Sequence, residues 1–239
     1  MVRTLRPPRS NKPCAPSRRA GCSATALTRG RYGVQLGDMN TDIRWSITAP
    51  WAQGWLHAFE PTLPEVLTAA PLLADFYNDR HNAAMMTNTE EASAADVVER
   101  FHEMRADGER PFLLEQDGEL MGDADLRNVQ GAEAEFAFLV GRRVQQSRGL
   151  GTRFAVMLHA AALRVMGFER IYATVIPQNI ASRRMLEKLG YQVDPSPRAA
   201  SFADSEDDIA LSVDRVLFER AQAELLTQVV ITPRAPSLS

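Results

Sequence analysis

Cysteine is nearly absent from this sequence. Its 239 residues include two cysteines, Cys14 and Cys22, and both lie in the first tenth of the chain. Neither a disulfide framework nor a cysteine-based zinc site is therefore supported for the rest of the chain. The four histidines, at positions 57, 81, 102 and 159, lack the spacing of metal ligands, so we expect no bound metal.

Long hydrophobic runs are missing as well. No stretch approaches the roughly 18 uninterrupted apolar residues that a membrane helix needs. We therefore expect a soluble, cytoplasmic protein with no membrane partner. The chain is long enough to bury a substantial core, as one domain or as two small ones.

The first 38 residues contain a single acid, Asp38, against eight basic residues, with four prolines among Ser, Thr and Ala. Such a segment buries too little apolar surface to offset the entropy of ordering it. We predict a disordered basic extension over residues 1–41, one domain over 42–232 and a loose tail over 233–239. Three explanations of the extension stay open: a misplaced start with Met39 as the true initiator, which we favour, a targeting segment, or a basic arm for nucleic acid.

Without residues 1–38, 19 basic and 29 acidic residues remain, a net charge of about −10 in place of −3. An acidic body attracts cationic small molecules and repels nucleic acid, which is disfavoured as a partner. A charge that merely keeps the surface soluble is the simpler explanation.

The most informative stretch is a glycine-containing loop, Gln146-Ser147-Arg148-Gly149-Leu150-Gly151-Thr152. It follows a strand-like run over 134–140 and opens an amphipathic helix with inward positions Leu150, Phe154, Leu158, Ala161 and Val165. Glycine lets main chain approach a ligand closely, and the first amides of a helix have no intrahelical partner. The loop is therefore expected to bind a phosphate or pyrophosphate.

Two familiar phosphate loops fit these residues poorly. A P-loop needs a Lys followed by Ser or Thr after its second Gly, but Gly151 is followed by Thr152 and Arg153. At the third glycine position of the dinucleotide fingerprint this chain has Phe154. Glu169 lies before the next strand-like run, whereas a ribose-binding acid lies at the end of that run.

A third pattern fits better. Gln-x-x-Gly-x-Gly on a strand-to-helix turn is followed by Gly167-Phe168-Glu169-Arg170-Ile171-Tyr172-Ala173 and by Pro177-Gln178-Asn179-Ile180-Ala181-Ser182-Arg183-Arg184-Met185-Leu186-Glu187-Lys188-Leu189-Gly190-Tyr191. Three pieces in this order resemble the GNAT N-acetyltransferase superfamily, most closely the branch that contains the ribosomal-protein N-terminal acetyltransferases. The resemblance covers residues 133–191.

The resemblance implies an acetyltransferase that uses acetyl-CoA. The loop from Gln146 to Thr152 would hold the pyrophosphate through main-chain amides, with Arg142, Arg143 and Arg148 adding positive charge. The backbone of Leu139 and Val140 would pair with the pantetheine arm, and Asn179 and Ser182 would contact it further along. The acceptor would be a primary amine, either a small molecule or a peptide N-terminus, and a homodimer is left open.

Glu133 and Glu135 are the acids on the strand before the loop, and by period-two alternation they share a face. The position of Glu135 resembles that of a glutamate that some members of this branch use as general base, with Glu133 as the fallback and a solvated surface role as the alternative. Many family members protonate the leaving thiolate with a Tyr where this chain has Leu186. This departure keeps a second hypothesis open, an acyl-CoA-binding regulatory protein without turnover.

The elements predicted along the chain are a first strand within 45–59, a helix over 61–77 that breaks before Pro71, a helix over 94–106, strands over 111–116, 120–127 and 133–140, the helix from Leu150, a strand over 170–175, a helix over 180–189, a strand that begins at Tyr191, a last strand over 208–213 and a helix over 215–226. Asn179 is expected to cap the helix over 180–189, and Gly167 is expected to end the helix from Leu150 as a left-handed cap. Together with the resemblance, this order predicts an α/β (α+β) fold whose mixed, mostly antiparallel sheet has helices on both faces. Residues between the first two helices, including Tyr77, His81, Met85 and Met86, are candidates for the acceptor side, with a core role favoured for the two methionines.

Overall fold

A computed structural model describes residues 43–86, 90–141 and 149–234. The strands in these ranges are β1 (Trp45–Trp51), β2 (Gly54–Phe59), β3 (Arg110–Gln116), β4 (Glu119–Gln130), β5 (Glu133–Val140), β6 (Arg170–Val175), β7 (Gln192–Val193), β8 (Ile209–Asp214) and β9 (Val230–Pro233). The helices are α1 (Leu63–Asn78), α2 (Arg80–Met86), α3 (Ala94–Ala106), α4 (Leu150–Arg164), α5 (Ile180–Lys188), α6 (Pro197–Ala200) and α7 (Arg215–Leu226).

The nine strands form one sheet in the order β7-β8-β6-β5-β4-β3-β2-β1-β9. Every neighbouring pair is antiparallel except β5 and β6, which are parallel because α4 carries the chain back across the sheet between them. The predicted mixed, mostly antiparallel sheet is confirmed.

Two hydrophobic cores lie on opposite faces of this sheet. The larger one packs α4 and α7 against inward residues such as Phe112, Phe136 and Phe138. The smaller one packs α1 and α3 against Leu113 and Leu139. Helices therefore cover both faces, as predicted.

A buried ion pair joins the first two strands to the helical layer. Glu60 is fully buried directly after β2, and its carboxylate accepts hydrogen bonds from Nε of Arg110 at 2.5 Å and Nη1 of Arg105 at 3.0 Å. The amide of Trp45 donates to the same carboxylate at 2.7 Å. Breaking such a pair leaves an uncompensated buried charge, so Glu60 is expected to matter for stability.

The single strand predicted within residues 45–59 is wrong, because this segment forms the β1–β2 hairpin. Its pairing includes Pro50 opposite Trp55. The turn places Ala52 at φ 52°, a left-handed conformation that few residues other than glycine adopt, so composition did not reveal it.

The break predicted before Pro71 is also wrong, since α1 continues through this proline from Leu63 to Asn78. Proline removes one hydrogen bond to the carbonyl four residues earlier, here that of Leu67. The Leu67 side chain is 55% exposed, so this part of the helix faces water, which can hydrate the carbonyl.

Three elements were not predicted: α2, α6 and β9. The strand β9 pairs with β1 at the edge of the sheet, so β8 is not the last strand. The loose tail was predicted to begin at residue 233, but Pro233 ends β9 and the Arg234 amide donates to the carbonyl of Arg44 at 2.7 Å. The predicted extension 1–41 and residues 235–239 lie outside the described residues.

Val165, predicted to face inward, lies just beyond the end of α4 and is 41% exposed. The remaining predicted inward positions of this helix, Leu150, Phe154, Leu158 and Ala161, are buried. None of the helices within 43–86, 90–141 and 149–234 combines the length and apolar character needed to cross a membrane.

Candidate active site

The ladder between the two parallel strands is short. It pairs Glu133 with Arg170, Ala134 with Ile171 and Glu135 with Tyr172, and then it stops. Both strands continue, β5 to Val140 against β4 and β6 to Val175 against β8. Their carboxyl-terminal halves therefore leave a cleft in the middle of the sheet, where an extended ligand can pair with β5 as a strand does.

The start of α4 lies directly after β5. Gly149 is its N-cap in the left-handed conformation, at φ 86°, and supplies no side-chain cap. A Cβ at Gly151 would lie 3.2 Å from the ring of Phe138 on β5, so glycine lets the first turn of α4 approach the strand closely. The first helical amides have no intrahelical acceptor and carry the positive end of the helix dipole, which suits a pyrophosphate.

Of the residues predicted for the pyrophosphate, the described ones are Gly149, Leu150, Gly151 and Thr152, all in this first turn. Gln146, Ser147 and Arg148 lie outside the described residues, as do Arg142 and Arg143.

Asn179 and Ser182 lie together at the start of α5. The Oδ1 atom of Asn179 accepts a hydrogen bond from the Ser182 amide at 3.2 Å, which confirms Asn179 as the N-cap. Ser182 is 3% exposed, and its Oγ has no hydrogen-bond partner within residues 43–86, 90–141 and 149–234. A buried hydroxyl of this kind fits a polar group of a ligand in the neighbouring cleft.

Glu135 is buried, and its two carboxylate oxygens are already engaged. Arg127 donates to it twice, from Nε at 3.0 Å and Nη2 at 3.1 Å. Asn128 Nδ2 donates to Oε2 at 2.8 Å. With 2% exposure, Glu135 does not have the solvated surface role considered above. The paired bonds from Arg127 fix the orientation of this carboxylate.

Glu133 is more accessible, with 36% of its side chain exposed. Its Oε1 accepts a hydrogen bond from the Tyr172 hydroxyl at 3.1 Å, and its Oε2 accepts one from Nε of Arg198 at 3.0 Å. Burial and this hydrogen bond raise the pKa of Tyr172. Both predicted base candidates are thus paired with arginines.

Two buried acids on β4 were not among the residues predicted from the sequence. Asp123 and Asp125 are 3% and 4% exposed, and burial raises the pKa of each to about 7. The hydroxyl of Tyr77 donates to Oδ2 of Asp123. The available signal was two acids at alternate positions of the strand-like run over residues 120–127, which places both side chains on one face.

The other acceptor-side candidates separate in the structure. Tyr77 is buried against Asp123, and Met86 is 2% exposed in the smaller core, as favoured for the methionines. His81 is exposed and Met85 is partly exposed.

Tyr191 does not reach the cleft. Its hydroxyl hydrogen-bonds Nε2 of His159 at 2.6 Å in the core against α4, and Leu186 is fully buried. Burial lowers the pKa of His159 to about 4, so this imidazole is neutral at pH 7. Tyr191 and Leu186 therefore do not supply an acid to a leaving group in the cleft.

A surface pocket of about 640 Å³ lies beside β8, the neighbour of β6, and its lining includes Asp194, Glu206 and Ala210. In the part of the chain that the structure describes, no group of three or more His, Cys, Asp or Glu side chains is arranged to hold a metal ion.

A family model described as "Acetyltransferase (GNAT) domain" matches residues 63–192, more than half of the chain. The chain belongs to the GNAT acetyltransferase family. The matched range of this GNAT chain includes β5, the start of α4 and α5, the elements that build the cleft. It is thus an acetyltransferase by family, and acetyl-CoA is the acyl donor that the family uses. No curated protein matches its sequence.

Solved structures share the fold of this GNAT chain. RimJ of Mycobacterium smegmatis in complex with CoA-disulfide is 18% identical with a TM-score of 0.61, over 80% of this chain and 97% of RimJ. The aminoglycoside acetyltransferase AAC(6')-Ib with coenzyme A is 18% identical with a TM-score of 0.58, over 69% of this chain and 98% of its own. A T. thermophilus protein described as a "putative acetyltransferase" is 16% identical with a TM-score of 0.58, over 75% of this chain and 95% of its own.

Proposed function

We propose that this protein transfers the acetyl group of acetyl-CoA directly to a primary amine. The observation that carries the proposal is the combination of two features along this part of the chain: a ladder to β6 that stops at Glu135, within β5, and a helix that begins at Leu150 after its N-cap Gly149. The first offers strand backbone to the pantetheine arm, and the second offers amides to the pyrophosphate.

This arrangement supports the binding residues that the resemblance implies. Leu139 and Val140 lie on the part of β5 beyond the ladder. Amides at Gly149, Leu150, Gly151 and Thr152, preceded along the chain by Gln146, Ser147 and Arg148, would hold the pyrophosphate. Hydrogen bonds to a charged group contribute about 1.5 to 3 kcal/mol each, so a few are enough for micromolar affinity.

The other end of the bound donor would contact α5. This contact is supported by the buried Ser182 hydroxyl, which is unpaired in the described part of the chain. Asn179 would act mainly by capping α5 and so keeping Ser182 in place.

The amine must be neutral before it attacks. An alkylamine with a pKa near 10.4 is neutral at pH 7 in about one molecule in 2,500, which corresponds to roughly 4.6 kcal/mol. An α-amino group with a pKa near 8 needs only about 1.4 kcal/mol. A carboxylate that accepts the proton, directly or through water, lowers this barrier, and binding both substrates side by side supplies the rest. Glu135, with Glu133 as fallback, is the carboxylate that the family resemblance favours.

The nature of the acceptor draws support from relatives. AAC(6')-Ib is an aminoglycoside acetyltransferase and has been solved with coenzyme A and kanamycin. The excess of acidic over basic residues after position 38 also favours cationic acceptors. Polyamines and peptides are the other amines to test.

Two measurements test the proposal. Calorimetry with acetyl-CoA is expected to give a micromolar Kd, and NADH is the control ligand. Release of free thiol is then followed with polyamines, aminoglycosides, amino acids and short peptides. Binding of NADH but not of acetyl-CoA would contradict the proposed site. Binding of acetyl-CoA without release of free thiol in the presence of any of these amines would indicate a regulatory protein.

A further inference from the structure

Asp123 and Asp125 are two acids buried side by side in a strand. They are two residues apart on β4, so both project from the sheet face that α1 and α3 cover. The residues opposite them on the two neighbouring strands carry no charge: Pro111, Leu113, Ala137 and Leu139. These uncharged neighbours on both sides explain why burial is the main cause of the raised pKa of both acids.

Each of these carboxylates has an unused oxygen. Tyr77 satisfies Oδ2 of Asp123, but Oδ1 of Asp123 and Oδ1 of Asp125 are buried with no hydrogen-bond partner among the residues that the structure describes. Nε of Arg127 is 3.8 Å from Oδ1 of Asp125, beyond hydrogen-bond distance. Buried polar atoms in native proteins are nearly always paired, so two neighbouring exceptions indicate a missing donor.

The missing donor has the properties of an ammonium group. An ammonium carries one positive charge and three N–H donors, enough for both free oxygens. A Ca2+ or Mg2+ ion would need six or more oxygen ligands, which two carboxylates do not supply.

The pair also lies beside the cleft. Asp123 is directly opposite Leu139, which belongs to the part of β5 beyond the ladder with β6. Neighbouring strands are about 4.8 Å apart, so one strand separates these carboxylates from the bound acetyl-CoA of the proposed function.

We propose that Asp123 and Asp125 bind the ammonium group of an unbranched primary alkylamine, and that Asp123 takes up its proton. This inference rests on the proposed acetyl transfer to an amine, and for this class of acceptor it assigns to Asp123 the proton that the family resemblance assigns to Glu135. The site is more than nine-tenths buried, so the group that enters it must be slim. An alkyl chain ending in CH2–NH3+ meets this condition, whereas a peptide N-terminus carries a side chain and a carbonyl on the carbon next to its amine.

The reaction balances as follows. The ammonium gives one proton to the Asp123 carboxylate, directly or through one water, and becomes a neutral amine. The nitrogen lone pair forms the C–N bond to the thioester carbonyl carbon, the C–S bond breaks, and its electron pair leaves on the thiolate. The second proton of the nitrogen neutralises that thiolate. Asp123 returns its proton to solvent.

The charged groups around the pair set its pH dependence. Besides Tyr77 from α1, they are Arg100 from α3, Arg127 on β4 itself and Glu109 before β3. Burial raises the pKa of Asp123 to about 7, while the Tyr77 hydrogen bond lowers it. A carboxylate that titrates near neutrality suits proton transfer at physiological pH.

The test measures transfer to 1,4-diaminobutane by Asp123→Asn. The exposed acid Glu224 on α7 provides the matched control, Glu224→Gln. We expect kcat/KM for the diamine to fall at least 100-fold in Asp123→Asn, as for loss of a general base, with the acetyl-CoA Kd within about twofold. The rise of kcat/KM with pH through about 7 should disappear in this variant and persist in the control.

A second variant separates proton transfer from packing. Tyr77→Phe removes the hydroxyl bond that lowers the pKa of Asp123, so the rise in kcat/KM should move to higher pH. Loss of packing alone would lower the rate without moving this rise.

The inference is overturned if Asp123→Asn keeps the wild-type kcat/KM and pH profile, or if a short peptide is acetylated at its N-terminus in preference to the diamine. If the wild type binds acetyl-CoA but acetylates no amine, the proposed function fails instead. Calorimetry with the diamine then still decides the site: equal affinity for wild type and Asp123→Asn contradicts it, and loss of binding in the variant supports it.

Discussion

Arg127 holds Glu135 by two parallel hydrogen bonds across the β4–β5 pair, from Nε at 3.0 Å and from Nη2 at 3.1 Å. Burial by itself would lower the pKa of Arg127, but Glu135 and Asp125 raise it overall. The arginine is therefore charged at every pH of interest. This fork fixes the geometry of Glu135, and it connects the predicted base to the acid pair on β4 through the Arg127–Asp125 contact.

Glu135→Gln is expected to slow the chemical step while acetyl-CoA affinity stays nearly intact. It should also lower the free energy of unfolding by roughly 3 kcal/mol, because Arg127 loses its main buried partner. Pre-steady-state thiol release and urea unfolding measure the two effects. Glu60→Gln is the matched control, since it breaks another buried ion pair, with Arg110, remote from the cleft. Equal rates for Glu135→Gln and wild type would exclude Glu135 as the base.

Gly149→Leu is expected to weaken acetyl-CoA binding at least tenfold. At φ 86° a side chain strains the turn whose amides would face the pyrophosphate. Gly108→Leu is the matched control, because Gly108 has φ 78° with no atom within 4 Å of an added Cβ and lies in the turn after α3. Calorimetry compares the two variants. Unchanged binding in Gly149→Leu would mean that the pyrophosphate lies elsewhere.

Ser182→Ala is expected to reduce acetyl-CoA affinity by about five- to tenfold, the effect of one hydrogen bond of about 1 to 1.4 kcal/mol. Its stability should stay equal or rise slightly, because the hydroxyl has no partner within the described residues. Ser212→Ala is the control: the Ser212 hydroxyl pairs with Arg170, so this variant should lose stability and keep its affinity. The opposite pattern would make Ser182 a purely structural residue.

His159 is expected to make stability fall as the pH is lowered. Its pKa is about 4 in the folded protein against 6.5 for the free side chain, so the unfolded chain binds the proton first. Its contribution is complete above pH 6.5 and is lost as the pH falls through about 4. Between pH 7.5 and 4.5 this amounts to roughly 2 to 3 kcal/mol.

Urea unfolding of His159→Gln at both pH values should lack this part of the loss. The exposed His102 provides the control His102→Gln, which should keep it. An identical loss in all three proteins would show that carboxylates alone cause the pH dependence.

The acid pair on β4 predicts an opposite trend. A folded pKa raised from 3.8 to about 7 means that the stability contribution of Asp123 is complete below pH 3.8 and is lost as the pH rises through 7. This shift corresponds to about 4 kcal/mol, so Asp123→Asn should be more stable than the wild type at pH 8. Thermal unfolding at pH 6 and pH 8 measures the gain, which should grow with pH. A less stable variant at pH 8 would contradict the burial of a charged Asp123.

The sequence by itself determined the features that depend on near neighbours in the chain. Alternating residues predicted β5 with its bounds, Asn179 marked the start of α5, Gly167 at φ 86° follows the end of α4 as expected, and the loop glycines marked the start of α4. Each signal is local, because strand alternation, helix capping and left-handed glycines involve residues only a few positions apart. The family resemblance drew on these same local motifs.

Only the tertiary structure decided which distant groups meet. Tyr77 and Asp123 are 46 positions apart, and Arg234 reaches back 174 positions to the carbonyl of Glu60. The pairing of Glu135 with Arg127, the orphaned oxygens of Asp123 and Asp125 and the end of the β5–β6 ladder likewise depend on which strands become neighbours. Local composition does not specify the order of the strands, because an alternating pattern is compatible with more than one neighbouring strand. The groups that surround each carboxylate are therefore decided only when the sheet is assembled.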